Sequence, residues 1–410
     1  MTSLTAAQPT QEQNRLIHLD VLRGFALLGI LLVNFALFTA PIQSIMLGPD
    51  PSLQGIDATA NWLVRWLAEG KFYALFSMLF GAGFALTFLK AEQTGASYRG
   101  VYFRRLLTLL LIGTAHMLLV WSGDILLIYA TLAFIMWLLF SRTPQRRLWK
   151  WAIFFFLIPV LLMWLGALSI AAMQAIGGEE VAAMNAQFEA DYAASQAAVA
   201  AAATIHAEGS WVENIHQRWQ DLIWMAEIAI FWIPAILGYF LIGRWLLVSR
   251  RLIEPQNHVE FFRKWRLWGL LLGLSLSAAG LYAMHDSQLV VPDIPMALGV
   301  TLAQVSAILL SLGYLSTVVL SVDKLRFLAP AGRMALTNYL VQSLFWTWMF
   351  LGYGVGLWGE VPRSLQVLLA FVFFALQIVF SQWWLKRFRF GPAEWLWRSL
   401  TYLKAPPMRR

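Results

Sequence analysis

Ten long apolar runs constrain the fold of this chain more than any other feature of its sequence. A transmembrane α-helix needs about 20 apolar residues. The runs lie near residues 21–41, 71–90, 104–121, 124–141, 149–176, 220–247, 265–284, 294–320, 333–352 and 363–385. Only helices or a closed barrel can span a bilayer, and these runs lack the alternation of barrel strands. The sequence therefore predicts an all-α polytopic membrane bundle of about ten transmembrane helices.

The composition supports a membrane protein and excludes several other classes. Hydrophobic residues make up 60% of the 410 residues and charged residues only 13%, whereas soluble domains carry about 25% charged residues. The net charge of +8 does not indicate nucleic-acid binding, because the basic residues lie in short loops between apolar runs. The chain has no cysteine, which excludes thiol chemistry.

Loop charge predicts the orientation. Lysine and arginine are concentrated in the segments 90–105, 141–150, 248–266 and 321–333 and in the C-terminal tail. The alternate loops are poor in basic residues. The positive-inside rule then places both termini in the cytoplasm. We expect a disordered cytoplasmic N-terminus over 1–17, a single transmembrane domain over 18–403 and a cytoplasmic tail over 404–410.

The segment 177–219 is a long extracytoplasmic loop in this topology. It is rich in alanine, the best helix former, and predicts a surface helix that ends near Gly209. An extramembrane spacer and a lid over an outward-facing cavity both fit this segment.

Three polar residues lie in the outer half of the predicted bundle. His116 is 12 residues past Arg104, which is roughly 18 Å at about 1.5 Å of rise per residue. Asp124 follows after a tight turn, and a carboxylate on one ring nitrogen raises the basicity of the other. The pair is a candidate general base, with Asn34 on the first helix at a similar depth. The alternatives are a packing histidine and an N-cap at Asp124.

Three further outer residues are candidates for substrate binding. Lys71 opens the second helix, Trp121 lies in the turn before Asp124, and Glu227 lies one or two turns inside the sixth predicted span. Ionisable groups inside a membrane tend to face a cavity or a partner. Lys71 could instead reach the outer interface, and Glu227 could pair with Lys71 or His116 or be a protonated packing residue.

A second polar set lies at the inner ends of the helices. Asp20 and Arg23 share a face of the first helix. The other members of this set are Arg244, Arg333, Asn338 and Gln342. Arginine binds phosphates through its fork of donors, so Asp20, Arg23, Arg244 and Arg333 form a candidate cofactor mouth and Asn338 and Gln342 a candidate substrate-binding stripe. The alternative is an Asp20–Arg23 ion pair with arginines that anchor helix ends.

Other motifs point to packing rather than chemistry. The stretch "SMLFGAGFA" brings small residues together and predicts a close helix contact. We find no phosphate-binding loop, no dinucleotide fingerprint and no clustered metal ligands in the sequence, so we expect no metal site.

Five stretches together resemble one known family. They are "LDVLRGFALLGILLVN", "FYALFSMLFGAGF", "RRLLTLLLIGTAHMLLVWSGDILLIYA", "GRMALTNYLVQS" and "FRFGPAEWLWRSLTY". With them the chain resembles the YeiB-like family of bacterial inner-membrane proteins, also called domain of unknown function 418. The match runs from residue 19 to 402 and implies a multi-pass protein of the bacterial inner membrane.

The first stretch also resembles a wider group of transmembrane acyltransferases, namely the acyltransferase-3 proteins and heparan-glucosaminide acetyltransferase. These share an "LDxxRG" entry to the first helix and move an acyl group from cytoplasmic acyl-CoA to an acceptor across the membrane. Their catalytic histidine lies on that helix or in the segment after it. This chain has Asn34 there and no histidine in 42–70, so the resemblance assigns the role to His116.

The functional expectation is therefore acyl transfer from acyl-CoA to a small-molecule, lipid or sugar acceptor, with the bilayer as the surrounding partner. The alternative is a proton-coupled transporter or exporter of a small amphiphile, with Glu227, His116 and Asp124 as a proton relay. The oligomeric state stays open, a homodimer included.

Overall fold

The structure is a computed structural model, and it describes residues 16–48, 50–94, 99–285, 287 and 292–410. The predicted disorder of residues 1–17 therefore falls almost entirely outside the described residues. Within these ranges the chain forms fifteen α-helices and no strand. They are α1 Ile17–Phe38, α2 Gly55–Leu67, α3 Lys71–Thr94, α4 Arg99–Leu119, α5 Leu126–Phe140, α6 Gln145–Ile176, α7 Glu179–Glu208, α8 Trp211–Glu227, α9 Ile233–Val248, α10 Val259–Ala283, α11 Ile294–Leu320, α12 Ala329–Arg333, α13 Ala335–Phe350, α14 Arg363–Arg387 and α15 Pro392–Tyr402.

The predicted all-α polytopic bundle is confirmed. Among the described residues, eight helical segments are long and apolar enough to cross a membrane. The predicted runs at 124–141 and 333–352 correspond to α5 and α13, which are shorter, with 15 and 16 residues. The chain is thus a multi-pass membrane protein.

Close contact between α3 and α9 explains the glycine-rich stretch. A Cβ atom on Gly81 would lie well under 3.0 Å from the carbonyl oxygen of Phe240, and one on Gly243 would meet the carbonyl of Met78 in the same way. The two backbones touch where the side chains are absent, as in other small-residue helix contacts. The packing interpretation of "SMLFGAGFA" is therefore correct.

The helices α7 and α8 form a unit that we call the outer cap. The alanine-rich segment folds as α7, and Gly209 follows its last residue. The side chain of Ser210 and that of Glu213 form a capping box that starts α8, an arrangement that satisfies otherwise free backbone donors. The outer cap rests on the bundle through α8, because the indole of Trp211 donates to the carbonyl of Leu119 at the end of α4 (3.0 Å).

The C-terminal helix α15 binds close to the N-terminal ends of α4 and α13. The buried carboxylate of Glu394 accepts hydrogen bonds from the amides of Leu336 (2.7 Å) and Thr337 (3.2 Å) in the first turn of α13. The indole of Trp397 donates to the carbonyl of Arg105 (2.9 Å). A side chain from α15 thus caps α13, which joins two of the stretches quoted above, "GRMALTNYLVQS" and "FRFGPAEWLWRSLTY", in one structural unit.

Candidate functional site

A buried histidine–carboxylate pair lies at the junction of α4 and α5. Nδ1 of His116 is 2.8 Å from Oδ1 of Asp124, and the two residues are only 5% and 1% exposed. The hairpin between the helices is short enough to bring residues eight apart into contact. The contact that the spacing suggests is present.

Asp124 has a second role in the local fold. Its Oδ2 accepts a hydrogen bond from the amide of Leu127 (2.9 Å) in the first turn of α5, where a carboxylate also interacts favourably with the helix dipole. The general-base interpretation and the N-cap interpretation are therefore compatible, because each uses a different oxygen of the same carboxylate.

Tyr339 on α13 completes the cluster. Its hydroxyl donates to Oδ1 of Asp124 (3.3 Å) and accepts from the amide of Ile125 (3.2 Å). Its ring centroid lies 5.6 Å from that of His116. Sequence reasoning missed Tyr339 although it directly follows Asn338 in a quoted stretch, because nothing local indicates which face of α13 meets the α4–α5 hairpin.

The other ring nitrogen of His116 is buried and has no hydrogen-bond partner among the residues that the structure describes. Since a carboxylate can only accept, Nδ1 carries the proton in the neutral ring and Nε2 keeps its lone pair. An unsatisfied buried polar atom costs about 1–3 kcal/mol and calls for an explanation. Nε2 is chemically a free proton acceptor in a protected environment.

Asn34 lies in the C-terminal half of α1 and is partly buried. The described hydrogen bonds include none between Asn34 and His116. The outer end of α1 does contact the hairpin, because the rings of Phe38 and Trp121 are 4.5 Å apart and the indole of Trp121 donates to the carbonyl of Leu37 (3.4 Å).

A small cavity of about 20 Å³ lies between the outer cap and the bundle. Its wall includes residues from α13 and from the C-terminal end of α1, together with Trp121 and Ser122 of the hairpin, His206 of α7 and Arg218 of α8. Burial lowers the pKa of both His206 and Arg218. The cavity has room for about one water molecule. The outer cap therefore contributes part of the cavity wall.

The two ionisable candidates outside this cluster are Lys71 and Glu227. Nζ of Lys71 is buried and donates to the carbonyl of Arg65 (2.8 Å), near the end of α2. Glu227 is the last residue of α8 and is exposed. Its predicted placement inside the sixth span was wrong, because α8 is a separate amphipathic helix and the apolar span begins only at Ala229.

The inner polar set divides into local contacts. Arg23 donates to Asp20 (2.9 Å) within α1, and Gly332 at the end of α12 packs against the backbone of Asp20. Arg333, the last residue of α12, therefore lies near the start of α1. Arg244 donates to the carbonyls of Phe140 and Ser141 (2.7 Å to the latter).

This position of Arg244 fits a helix anchor, since a cation at the C-terminal end of α5 is favoured by the helix dipole. The ion pair of Asp20 and Arg23 likewise fits the packing interpretation.

Asn338 and Gln342 form an interhelical network with α14. The amide of Asn338 donates to Ser381 (3.0 Å), and that of Gln342 donates to Oε1 of Gln377 (2.8 Å). Gln377 in turn donates to the backbone carbonyl of Asn338 (3.0 Å). Both residues lie on one buried stripe, as their spacing predicts, and that stripe packs two helices together.

Comparison with known proteins gives one family. The family model described as "Protein of unknown function (DUF418)" matches residues 247–404. The chain is 35% identical to "Uncharacterized protein YxaH" of Bacillus subtilis (strain 168) over 99% of both chains. It is 31% identical to "Uncharacterized protein YeiB" of Escherichia coli (strain K12), with 96% of this chain and 98% of the relative covered. No solved structure matches the chain.

Proposed function

The chain belongs to the YeiB-like family of DUF418 membrane proteins, and we propose that within this family it acts as an acyltransferase of the bacterial inner membrane. His116 is the general base, Asp124 and Tyr339 fix its ring, and cytoplasmic acyl-CoA is the donor. The acceptor is a hydroxyl or amine presented from the extracytoplasmic side.

One observation supports the proposal most: Nε2 of His116 is buried, has no partner within the described part of the chain, and belongs to a ring whose other nitrogen donates to a carboxylate. A packing histidine would be expected to use both nitrogens, because a buried polar atom without a partner is unfavourable. A carboxylate that fixes the tautomer and stabilises the charged ring is the arrangement that general bases use.

The chemical step is a transfer of the acyl group to the acceptor. Nε2 takes the proton as the acceptor oxygen or nitrogen attacks the thioester carbonyl, and Asp124 stabilises the positive ring that forms. The carbon–sulfur bond then breaks, and the CoA thiolate leaves and takes up the proton. Asn34, with its amide donors, is the proposed partner of the oxyanion.

The depths of the two polar sets support a donor from inside and an acceptor from outside. His116 is one turn before the end of α4, whose last carbonyl is bound by the outer cap. Arg23 and Arg333 lie near the N-terminal end of α1. They are the proposed contacts of the acyl-CoA phosphates, through charge-assisted hydrogen bonds. Trp121, beside the base, is the proposed acceptor contact.

The remaining candidates have a smaller part in the proposal. Lys71, Arg244, Asn338 and Gln342 have structural contacts that already account for their burial. Glu227 is exposed at the end of α8, so it is not a member of a buried proton relay with His116. This weakens the transporter alternative, which depends on that relay.

The test uses inside-out membrane vesicles with acetyl-CoA labelled on the acetyl group. We expect CoA release and label incorporation into an extractable product with the full chain, and neither with His116→Gln. Glu260→Gln, on an exposed ion pair, is the matched control and should keep both signals. Proton-coupled solute flux without acyl-CoA, lost in His116→Gln, would favour the transporter instead.

A further inference from the structure

The cavity beneath the outer cap contains a buried cation that the acyl-transfer proposal does not use. Arg218 is 1% exposed, and it is one of the residues that line the cavity. It sits on α8 between Asn214 and Asp221, which are also fully buried. The spacing puts all three on the helix face that meets the bundle.

The hydrogen-bond partners of Arg218 are neutral. One guanidinium nitrogen donates to the carbonyl of Leu119 (3.1 Å) and another to the hydroxyl of Tyr353 (2.9 Å). The carboxylate of Asp221, three residues along α8, favours the charged form of Arg218 from beyond ion-pair distance, but it accepts its hydrogen bonds from the amides of Gln43 (2.6 Å) and Gln217 (2.8 Å). No ion pair of Arg218 occurs among the described residues. A buried charge without an opposite charge in contact is strongly unfavourable unless something compensates it.

One other group in the cavity lining suits an anion. The hydroxyl of Ser122 is a neutral donor there, and Trp121 and Trp358 are aromatic lining residues. Nδ1 of His206 donates to Oδ1 of Asn214 (2.8 Å), so Nε2 of the neutral ring is an acceptor and the imidazole adds no donor for an anion. Carboxylate and phosphate oxygens accept from a guanidinium fork and from a hydroxyl.

We propose that this cavity is a binding site for a small oxyanion, the carboxylate or phosphate group of a ligand that enters from the extracytoplasmic side. The cavity of about 20 Å³ has room for little more than one water molecule. Entry therefore requires the outer cap to move, and the bound anion compensates Arg218 and holds α8 against α4. The proposal stands whether or not His116 transfers an acyl group.

The test measures thermal unfolding of the purified full chain in phosphatidylcholine nanodiscs at constant ionic strength. Titration with inorganic phosphate or with acetate should raise the midpoint temperature along a saturable curve, because a ligand that binds only the folded state stabilises it. Arg218→Gln should abolish the shift. Arg263→Gln, which changes an exposed arginine on α10, is the matched control and should keep it.

A second variant covers the outcome in which Arg218→Gln does not fold. Ala40 lines the cavity, so Ala40→Val fills it while Arg218 remains, and this variant should lose the shift as well. Nanodiscs with phosphatidylglycerol distinguish the source of the anion: a lipid phosphate would raise the midpoint before any titration and only when Arg218 is present. The proposal is overturned if neither anion nor lipid gives a saturable shift, or if the shift persists in Arg218→Gln or in Ala40→Val.

Discussion

Replacing Asp124 with asparagine separates the two roles of this carboxylate. Oδ2 accepts from the amide of Leu127 (2.9 Å), and Oδ1 faces Nδ1 of His116 (2.8 Å). The amide oxygen of asparagine must face Leu127, because the opposite orientation would put two donors against each other. The NH₂ group then faces His116 and donates to Nδ1. The proton of the ring moves to Nε2, which no longer accepts.

The two roles predict effects of different size. The helix cap is kept, since asparagine caps helices as well as aspartate, so the free energy of unfolding should change by less than ~1 kcal/mol. Acyl transfer should fall far more, because the wrong tautomer in a comparable triad lowers turnover about 10⁴-fold. At 1.36 kcal/mol per factor of ten, this corresponds to ~5.4 kcal/mol of transition-state stabilisation.

Two measurements check this prediction. The rate of CoA release gives the activity, and nitrogen NMR of the chain with labelled histidines gives the tautomer of the ring without any substrate. The chain has only six histidines, and the signals of His116 are identified by their absence in His116→Gln. Full activity in Asp124→Asn, or an Nε2 that still lacks a proton, would refute the assigned role of Asp124.

Three further predictions concern packing, the C-terminal helix and the donor site. Gly243→Ala should lower the free energy of unfolding by about 1–3 kcal/mol or more, because the added methyl group overlaps the backbone of Met78. The control in the same thermal melt is Gly100→Ala, where only a flexible arginine side chain is near. Burial raises the pKa of Glu394, so the folded chain binds the proton of this carboxyl group more tightly than the unfolded chain does. The free energy of unfolding should therefore fall as the pH rises above the usual range of a glutamate pKa. Thermal melts of Glu394→Gln at several pH values should lack this decrease. Arg23→Gln should raise the Kd for acyl-CoA about tenfold or more, as loss of a hydrogen bond to a charged group does; an unchanged Kd in a binding titration would remove Arg23 from the donor site.

The fold was largely readable from the sequence because a bilayer leaves few alternatives. The length of the apolar runs predicts the helices, and the alanine content of the segment after residue 177 predicts α7. The main error, at Glu227, has a clear cause. The predicted sixth span, 220–247, includes the last residues of α8 as well as the apolar stretch that starts after residue 228. The buried polar face of α8, formed by Asn214, Arg218 and Asp221, indicates an amphipathic helix outside the span.

The sequence predicts only the part of the candidate site whose residues are close together along the chain. His116 and Asp124 are eight residues apart in one hairpin, so spacing alone suggests their contact. Tyr339 and Arg218 come from helices that are distant in the chain, and nothing in a single sequence tells which of their faces meets that hairpin. The inner residues Asn338 and Gln342 were recognised as one stripe, but their partner helix α14 required the tertiary structure.

The central claim is that Nε2 of His116 accepts a proton during acyl transfer. The most direct measurement is the rate of CoA release by the full chain from labelled acetyl-CoA, compared between the unchanged protein and His116→Gln at equal folded amounts. The account predicts a loss of about 10²-fold or more, the usual contribution of a general base, with label transferred to product only by the unchanged protein. Equal rates in the two proteins would contradict it.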